Sequence, residues 1–216
     1  MGLRQSELRP RRHWIARAPA APIERVTLKA TKIALPGALV IEPDVFGDTR
    51  GFFLESYQLR RYRELGIEDA FVQDNCSRSE RGVLRGLHYQ KERPQGKLVF
   101  VTRGEVFDVV VDIRPESRTF RKWYGLVLSD QNHFQLYVPP GFAHGFCVLS
   151  EIADFSYKCT EYYAGEDEGS IIWNDADIGI KWPMDRVKLS SKDSKAPKLA
   201  SIPEFRTSFP SVSSAR

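Results

Sequence analysis

Arg85 and His88 stand three residues apart in the stretch Gly82-Val83-Leu84-Arg85-Gly86-Leu87-His88-Tyr89-Gln90. The pair joins a permanent cation to an imidazole that titrates near neutral pH and can take or return a proton. Leu84, Gly86 and Tyr89 read as packing positions around them. In a strand, residues three apart point to opposite faces. Arg85 and His88 therefore share one cavity only if a bulge or turn at Gly86 re-aims one of them, and glycine inside a strand often marks such a feature. Taken alone, a histidine in an apolar strand is more often a satisfied structural residue than a catalyst.

The elements that must position this pair are short and extended. Leu39-Val40-Ile41-Glu42-Pro43 reads as a strand closed by proline, and Gly47-Asp48-Thr49-Arg50-Gly51 is turn chemistry before the extended run Phe52–Tyr57. Leu59, Tyr62 and Leu65 recur near helical spacing with Gly66 as a stop, which predicts one short helix. Phe71–Asn75 is a further strand. Leu98–Val101 and Val106–Ile113 flank Arg103-Gly104-Glu105, the pattern of a hairpin. Strands are also expected at Trp123–Leu128, Phe134–Val138, Phe142–Leu149, Ala153–Thr160 and Ile171–Trp173. Around ten short strands broken by Gly and Pro turns, with little helix, predict an all-β sandwich or barrel.

Composition narrows the setting. The chain has 216 residues, 42% of them hydrophobic, enough for one well-buried core. Its net charge of +4 is unevenly spread: residues 1–30 hold seven basic side chains against Glu7 and Glu24, so the remainder is slightly acidic and is no nucleic-acid surface by charge. Residues 1–25 read as a flexible basic tail, 26–207 as one domain and the Ser-rich 208–216 as a loose end. The start Met1-Gly2-Leu3-Arg4-Gln5-Ser6 fits a short acylation pattern that chance often matches. No apolar run is long enough to span a bilayer. Cys76, Cys147 and Cys159 lack metal or paired spacing, read as small hydrophobes, and suit a reducing cytoplasm.

Eight blocks in order then give the chain a resemblance. They are Val45–Phe53, Phe71–Asn75, Leu84–Gln90, Gln95–Val99, Gly104–Val109, Pro139–Phe146, Trp173–Asp175 and Leu189–Asp193. Together, over about residues 31–200, the sequence resembles the dTDP-4-dehydrorhamnose 3,5-epimerases, cupin-type enzymes of nucleotide-sugar metabolism. The resemblance implies a β jelly roll, a homodimer, a dTDP-4-keto-6-deoxyhexose substrate, and neither metal nor cofactor. The substrate ketone acidifies the protons on both neighbouring carbons, so each inversion needs a base, an acid on the other face, and a stabiliser of the enolate oxygen.

By that resemblance His88 is the base, Asp193 the carboxylate that orients it, Tyr157 the opposing proton donor and Lys97 the cation near the enolate oxygen. Arg50 and Arg85 correspond to pyrophosphate ligands, since guanidinium forks match phosphate oxygens. Glu55, Gln73, Asp74, Asn75, His144, Glu168 and Lys192 correspond to substrate contacts, some of them reaching a neighbouring subunit's pocket.

Three other readings compete. A mono-epimerase would keep His88, Asp193 and Tyr157. A metal cupin wants a His-x-His pair with a further carboxylate and histidine, whereas Leu87-His88-Tyr89 stands here in a chain of four histidines. A non-catalytic sugar-binding module would have lost His88 or Tyr157, and both are present.

Overall fold

Alternation of apolar and polar residues, with glycine, proline and aspartate at the breaks, gives mostly short strands with little helix among the described residues. The computed structural model describes residues 28–208; the tail expected over residues 1–25 and the segment 209–216 lie outside the described residues. In chain order the strands are β1 (Leu28–Lys32), β2 (Leu39–Pro43), β3 (Val45–Asp48), β4 (Gly51–Leu54), β5 (Gln73–Glu80), β6 (Leu84–Gln90) and β7 (Lys97–Arg103). They continue with β8 (Glu105–Asp112), β9 (Trp123–Ser129), β10 (Gln135–Val138), β11 (Phe142–Val148), β12 (Ile152–Cys159) and β13 (Glu168–Ser170). The predicted helix forms as α1 (Leu59–Glu64), opened by the Gln58 side chain accepting from the Arg61 amide at 2.8 Å.

The strands build a jelly-roll sandwich. One sheet runs β1-β2-β10-β7-β12-β5, the other β13-β6-β11-β8-β9, and the β3-β4 hairpin stands apart as its own two-stranded sheet. Between the sheets lies a core of Val99, Val101, Val106, Val110, Leu128, Leu136, Phe146 and Phe155. The outer face of the five-stranded sheet is covered by the C-terminal segment through Ile171, Ile178, Leu199, Ile202 and Phe205. Tyr62 and Ile67 join Leu39, Ile41, Leu98 and Tyr137 in a third buried cluster that seats α1 on the six-stranded sheet.

Two local expectations are corrected. β7 and β8 are consecutive but do not pair: β7 bonds to β10 and β12, and β8 to β9 and β11. Gly104, at a φ of +77° with its amide held by Asp130 at 2.7 Å, turns the chain from one sheet to the other. A tight turn between two apolar runs looks alike in a hairpin and at a sandwich corner. The strand expected at Ile171–Trp173 falls earlier, at Glu168–Ser170, although Ile171 still exchanges two backbone bonds with Leu87.

The bulge expected at Gly86 is present. β6 pairs with β11 at His88 with His144 and at Arg85 with Phe146, so three steps on β6 match two on β11. Gly86 takes a φ of +115°, and a Cβ there would lie 2.7 Å from both the Gly145 Cα and the His144 carbonyl oxygen. Gly145 is equally confined, since its Cβ would meet the Arg85 carbonyl oxygen at 2.7 Å. The irregularity turns Arg85 and His88 onto the lining of one cavity. Gly86→Ala is expected to lower stability by about 2–4 kcal/mol, through strain and forced separation of the two strands. Urea unfolding checks this as a lower midpoint at an unchanged slope.

Candidate active site

The site is a cleft between the two sheets, with walls drawn from different parts of the chain. Its outer lobe, about 250 Å³, is lined by Gln73, Asn75, Gln90, Gln95, Cys159, Tyr163 and Glu168. Its inner lobe, about 140 Å³, is lined by Ser77, Arg85, His144, Phe146 and Phe155. His88, Lys97 and Tyr157 line both lobes. His88 comes from β6 on one sheet, and Lys97 and Tyr157 from neighbouring strands of the other.

His88 is held from behind. Its Nε2 lies 2.6 Å from Asp193 Oδ1 although the residues are 105 positions apart. Asp193 is buried in a 3-10 turn whose first amide donates to Ser190 Oγ at 3.0 Å. Burial alone would raise its pKa, but the bond and charge of His88, with Ser190 and the Gly86 amide, bring it below the ordinary carboxylate value. An Nε2–H donated to Asp193 leaves Nδ1 as the nitrogen free to act as a base. Nδ1 lies 3.8 Å from Glu168. Glu168 accepts from the Tyr163 hydroxyl at 2.9 Å and pairs with Lys192. Burial again opposes ionisation, and these partners override it to hold the Glu168 carboxyl below its ordinary value.

The opposite wall carries the donor and the cation. Burial raises the Tyr157 pKa, so the phenol stays protonated at neutral pH. Lys97 Nζ lies 5.9 Å from the centroid of the Tyr157 ring. Desolvation pushes the lysine pKa down, and the nearby Cys159, Glu168 and Asp108 offset only part of that. An ammonium short of neutralising charge is well placed to stabilise an oxyanion that forms beside it. Deeper in, His144 Nε2 lies 2.9 and 3.0 Å from the two oxygens of Asp108, a pair buried at 8% and 0% exposure. Arg85 spends one bond on Ser79 Oγ, at 3.1 Å.

Ten of the thirteen sequence-expected residues are gathered here: His88, Lys97, Tyr157, Asp193, Gln73, Asn75, Arg85, His144, Glu168 and Lys192. Three are not. Asp74 points away from the cleft because strand alternation that turns Gln73 and Asn75 inward turns it outward, where it pairs with Lys158 at 2.8 Å. Arg50 sits at the tip of the β3-β4 hairpin, 88% exposed and paired with Asp48. Glu55 follows that hairpin and pairs with Arg61 at 2.7 Å. Residues the sequence reading passed over include Tyr163, Gln90, Gln95 and Asp108. Cys159, expected as a small hydrophobe, is buried and also lines the outer lobe, 3.6 Å from Asn75 Nδ2. Cys76 is exposed rather than packed. Period-two alternation from Tyr157 would have brought Cys159 into view.

A jelly roll whose cleft sets a histidine–carboxylate dyad against a phenol and a desolvated ammonium is the frame of an acid–base enzyme acting beside a carbonyl. The family model described as dTDP-4-dehydrorhamnose 3,5-epimerase matches residues 32–201, and the chain belongs to that family. A dTDP-4-dehydrorhamnose 3,5-epimerase of Salmonella typhimurium is 57% identical over 171 residues, 78% of this chain and 93% of its own. The crystal structure of a dTDP-6-deoxy-D-glucose-3,5-epimerase from Legionella pneumophila, in complex with dTDP-4-keto-L-rhamnose, matches at TM-score 0.79 and 54% identity, over 80% of this chain and 93% of that one. A 3'-monoepimerase from Streptomyces bikiniensis, in complex with dTDP-quinovose, matches at TM-score 0.73 and 34% identity, over 78% and 86%.

The depressed Asp193 carboxyl has a consequence for acid stability. Its contribution is fully present above the usual carboxylate pKa near 4 and is lost as pH falls through the lower folded value. Asp193→Asn is therefore expected to be less stable than the parent at neutral pH, with the difference shrinking in acid. Urea midpoints taken down a pH series measure it.

Proposed function

We propose that the protein inverts C3 and C5 of dTDP-4-dehydro-6-deoxy-D-glucose to give dTDP-4-dehydro-L-rhamnose, by proton abstraction and reprotonation through an enolate. The observation that carries this reading is the His88–Asp193 bond of 2.6 Å in a cleft whose other wall holds Tyr157 and Lys97. The sugar ring lies between the two sheets. His88 Nδ1 takes the proton from the carbon next to the ketone, and Asp193 stabilises the imidazolium that results. Negative charge moves to the ketone oxygen, where Lys97 offsets it. Tyr157 returns a proton from the opposite face, which inverts the centre. The ketone activates C3 and C5 alike, so one set of groups serves both after the ring shifts or turns. Arg85, Lys192, Gln73, Asn75, Glu168 and His144 bind and orient the substrate around these four. Catalysis resides in the single unit of residues 26–207 and needs neither 1–25 nor 208–216. The free cysteines accord with a reducing cytoplasm, and among the described residues no helix is long and apolar enough to cross a membrane.

The working form is a homodimer. Val45, Phe46, Phe52 and Phe53 are 42–66% exposed on the β3-β4 hairpin, and apolar surface of that kind calls for cover. The hairpin and its flank carry Arg50 and Glu55, the contacts absent from their own cleft, so a partner's hairpin completes each site.

Incubation with the keto sugar in deuterium oxide tests the chemistry. Deuterium is expected at both C3 and C5, with a product that an NADPH-dependent reductase traps as the L-rhamno sugar. Label at one carbon only, as the monoepimerase neighbour makes a real alternative, would replace the double epimerase by a mono-epimerase. His88→Ala is expected to slow exchange at both carbons by about 10²–10⁴-fold. Tyr157→Phe should keep part of the exchange while losing inversion.

Mixing tests the dimer. Arg50→Ala and His88→Ala are each expected to be nearly inactive. Co-refolded in equal amounts they should recover roughly a quarter of parental activity, because half the dimers hold one intact site. A purely additive mixture would show that each chain completes its own site.

A further inference from the structure

The wall between β6 and β7 is an exposed loop with little apolar packing of its own. Lys91, Glu92, Arg93 and Pro94 are all exposed. The active-site cleft lies on one side of this wall, and a separate hollow of about 510 Å³ lies on the other, lined in part by Lys91, Glu92, Pro94, Ile113 and Phe205. Tyr89 and Gln90 line both spaces. Apolar packing anchors Tyr89 but does little to fix residues 91–94. Polar ties hold the loop instead: Lys91 pairs with Glu204 at 3.0 Å, Gln95 donates to the Glu161 carbonyl at 2.8 Å, and the backbone of the loop itself gathers on one carboxylate. The amides of Lys91, Glu92 and Arg93 donate to Asp167 at 3.2, 2.8 and 2.9 Å. Three successive amides turned toward one point form a nest of the kind that takes an anion. Here the chain supplies the anion itself, and the bonds from Glu92, Arg93 and Lys91 hold its pKa below the ordinary value.

Asp167 immediately precedes Glu168, which pairs with Gln90 at the end of β6 and lies 3.8 Å from His88. Gln90 repeats the tie, donating to the Arg93 carbonyl at 2.8 Å and accepting from the Ala164 amide at 2.9 Å. We propose that Asp167 is a positioning residue: by filling the amide nest of the β6–β7 loop it locks that loop to the β12–β13 connection, and so sets Lys97 against His88. Asp167 touches no lobe of the cleft and takes no part in proton transfer. This rests on the proposed epimerase chemistry, since the geometry it fixes matters only if Lys97 acts on a developing charge.

The test uses full-length enzyme. Asp167→Asn keeps the shape but offers one acceptor oxygen in place of two. The expected result is a kcat about tenfold lower with KM within about threefold, because the loss falls on transition-state geometry. In a Lys97→Met background the same change should cost less than about threefold, since its effect passes through Lys97. A melting temperature within a few degrees of the parent should accompany this. An unchanged kcat, or an equal loss in both backgrounds, would overturn the assignment and leave Asp167 a stabilising residue only. Glu92→Pro removes the shortest donor while leaving the carboxylate, and carries the same two comparisons if Asp167→Asn fails to fold. Parental deuterium incorporation is read first: its absence sinks the epimerase reading, whereas its presence with a fully active Asp167→Asn sinks only the clamp.

Discussion

Everything in the cleft depends on how closely β6 can approach β11. At Gly86 and Gly145 the two backbones meet with no room for a side chain on either. That contact produces the bulge, the bulge turns Arg85 and His88 onto one cavity, and the Gly86 amide helps to keep Asp193 ionised behind the imidazole. A regular strand would have placed the cation and the base on opposite faces of the sheet. The general base is thus a product of backbone geometry as much as of residue choice.

Charge is then distributed so that the interior tolerates it. Asp193 is matched by His88, Glu168 by Lys192 and Tyr163, and Asp108 by His144. A buried polar group that loses its partner is costly, so these pairs reinforce the positions they occupy. Lys97 is the exception, a cation pushed by desolvation toward its neutral form. Its charge is best satisfied when negative charge appears on a substrate oxygen, which is the moment an enolate forms. Stability and reactivity are therefore divided among neighbouring groups: most are satisfied in the resting protein, and one is satisfied in the transition state.

The local elements were legible in the sequence wherever a short-range rule decides them. The helix at Leu59–Glu64 follows from its apolar spacing and the Gly66 stop, and the β3-β4 turn from Gly47-Asp48-Thr49-Arg50-Gly51. His88 and Lys97 stood out because they sit in blocks that carry the family resemblance, and Tyr157 because it lies at the family's spacing, thirteen residues after His144. Other features escaped because they depend on facing. Asp74 and Cys159 exchange roles on simple strand parity, one outward to Lys158 and the other inward beside Lys97. Tyr163 and Asp167 lie in a connection with no periodicity to read, and their partners are distant in sequence or belong to another strand.

By itself the sequence determined a sandwich of short strands and one small helix, and its resemblance to a family of epimerases supplied the imidazole, phenol, ammonium and carboxylate suited to moving protons beside a ketone. The strands and helix follow from alternation and spacing over a few residues, and the chemical roles from motifs matched in order along the chain. Only the tertiary structure decided which groups meet. The bond between His88 and Asp193 spans 105 residues, and the turn at Gly104 sends β7 and β8 to different sheets rather than into a hairpin. The same holds for the Arg50 hairpin, which leaves its own cleft. Such outcomes are set by strand pairing across the whole chain and by steric contact between backbones, and no local pattern encodes either.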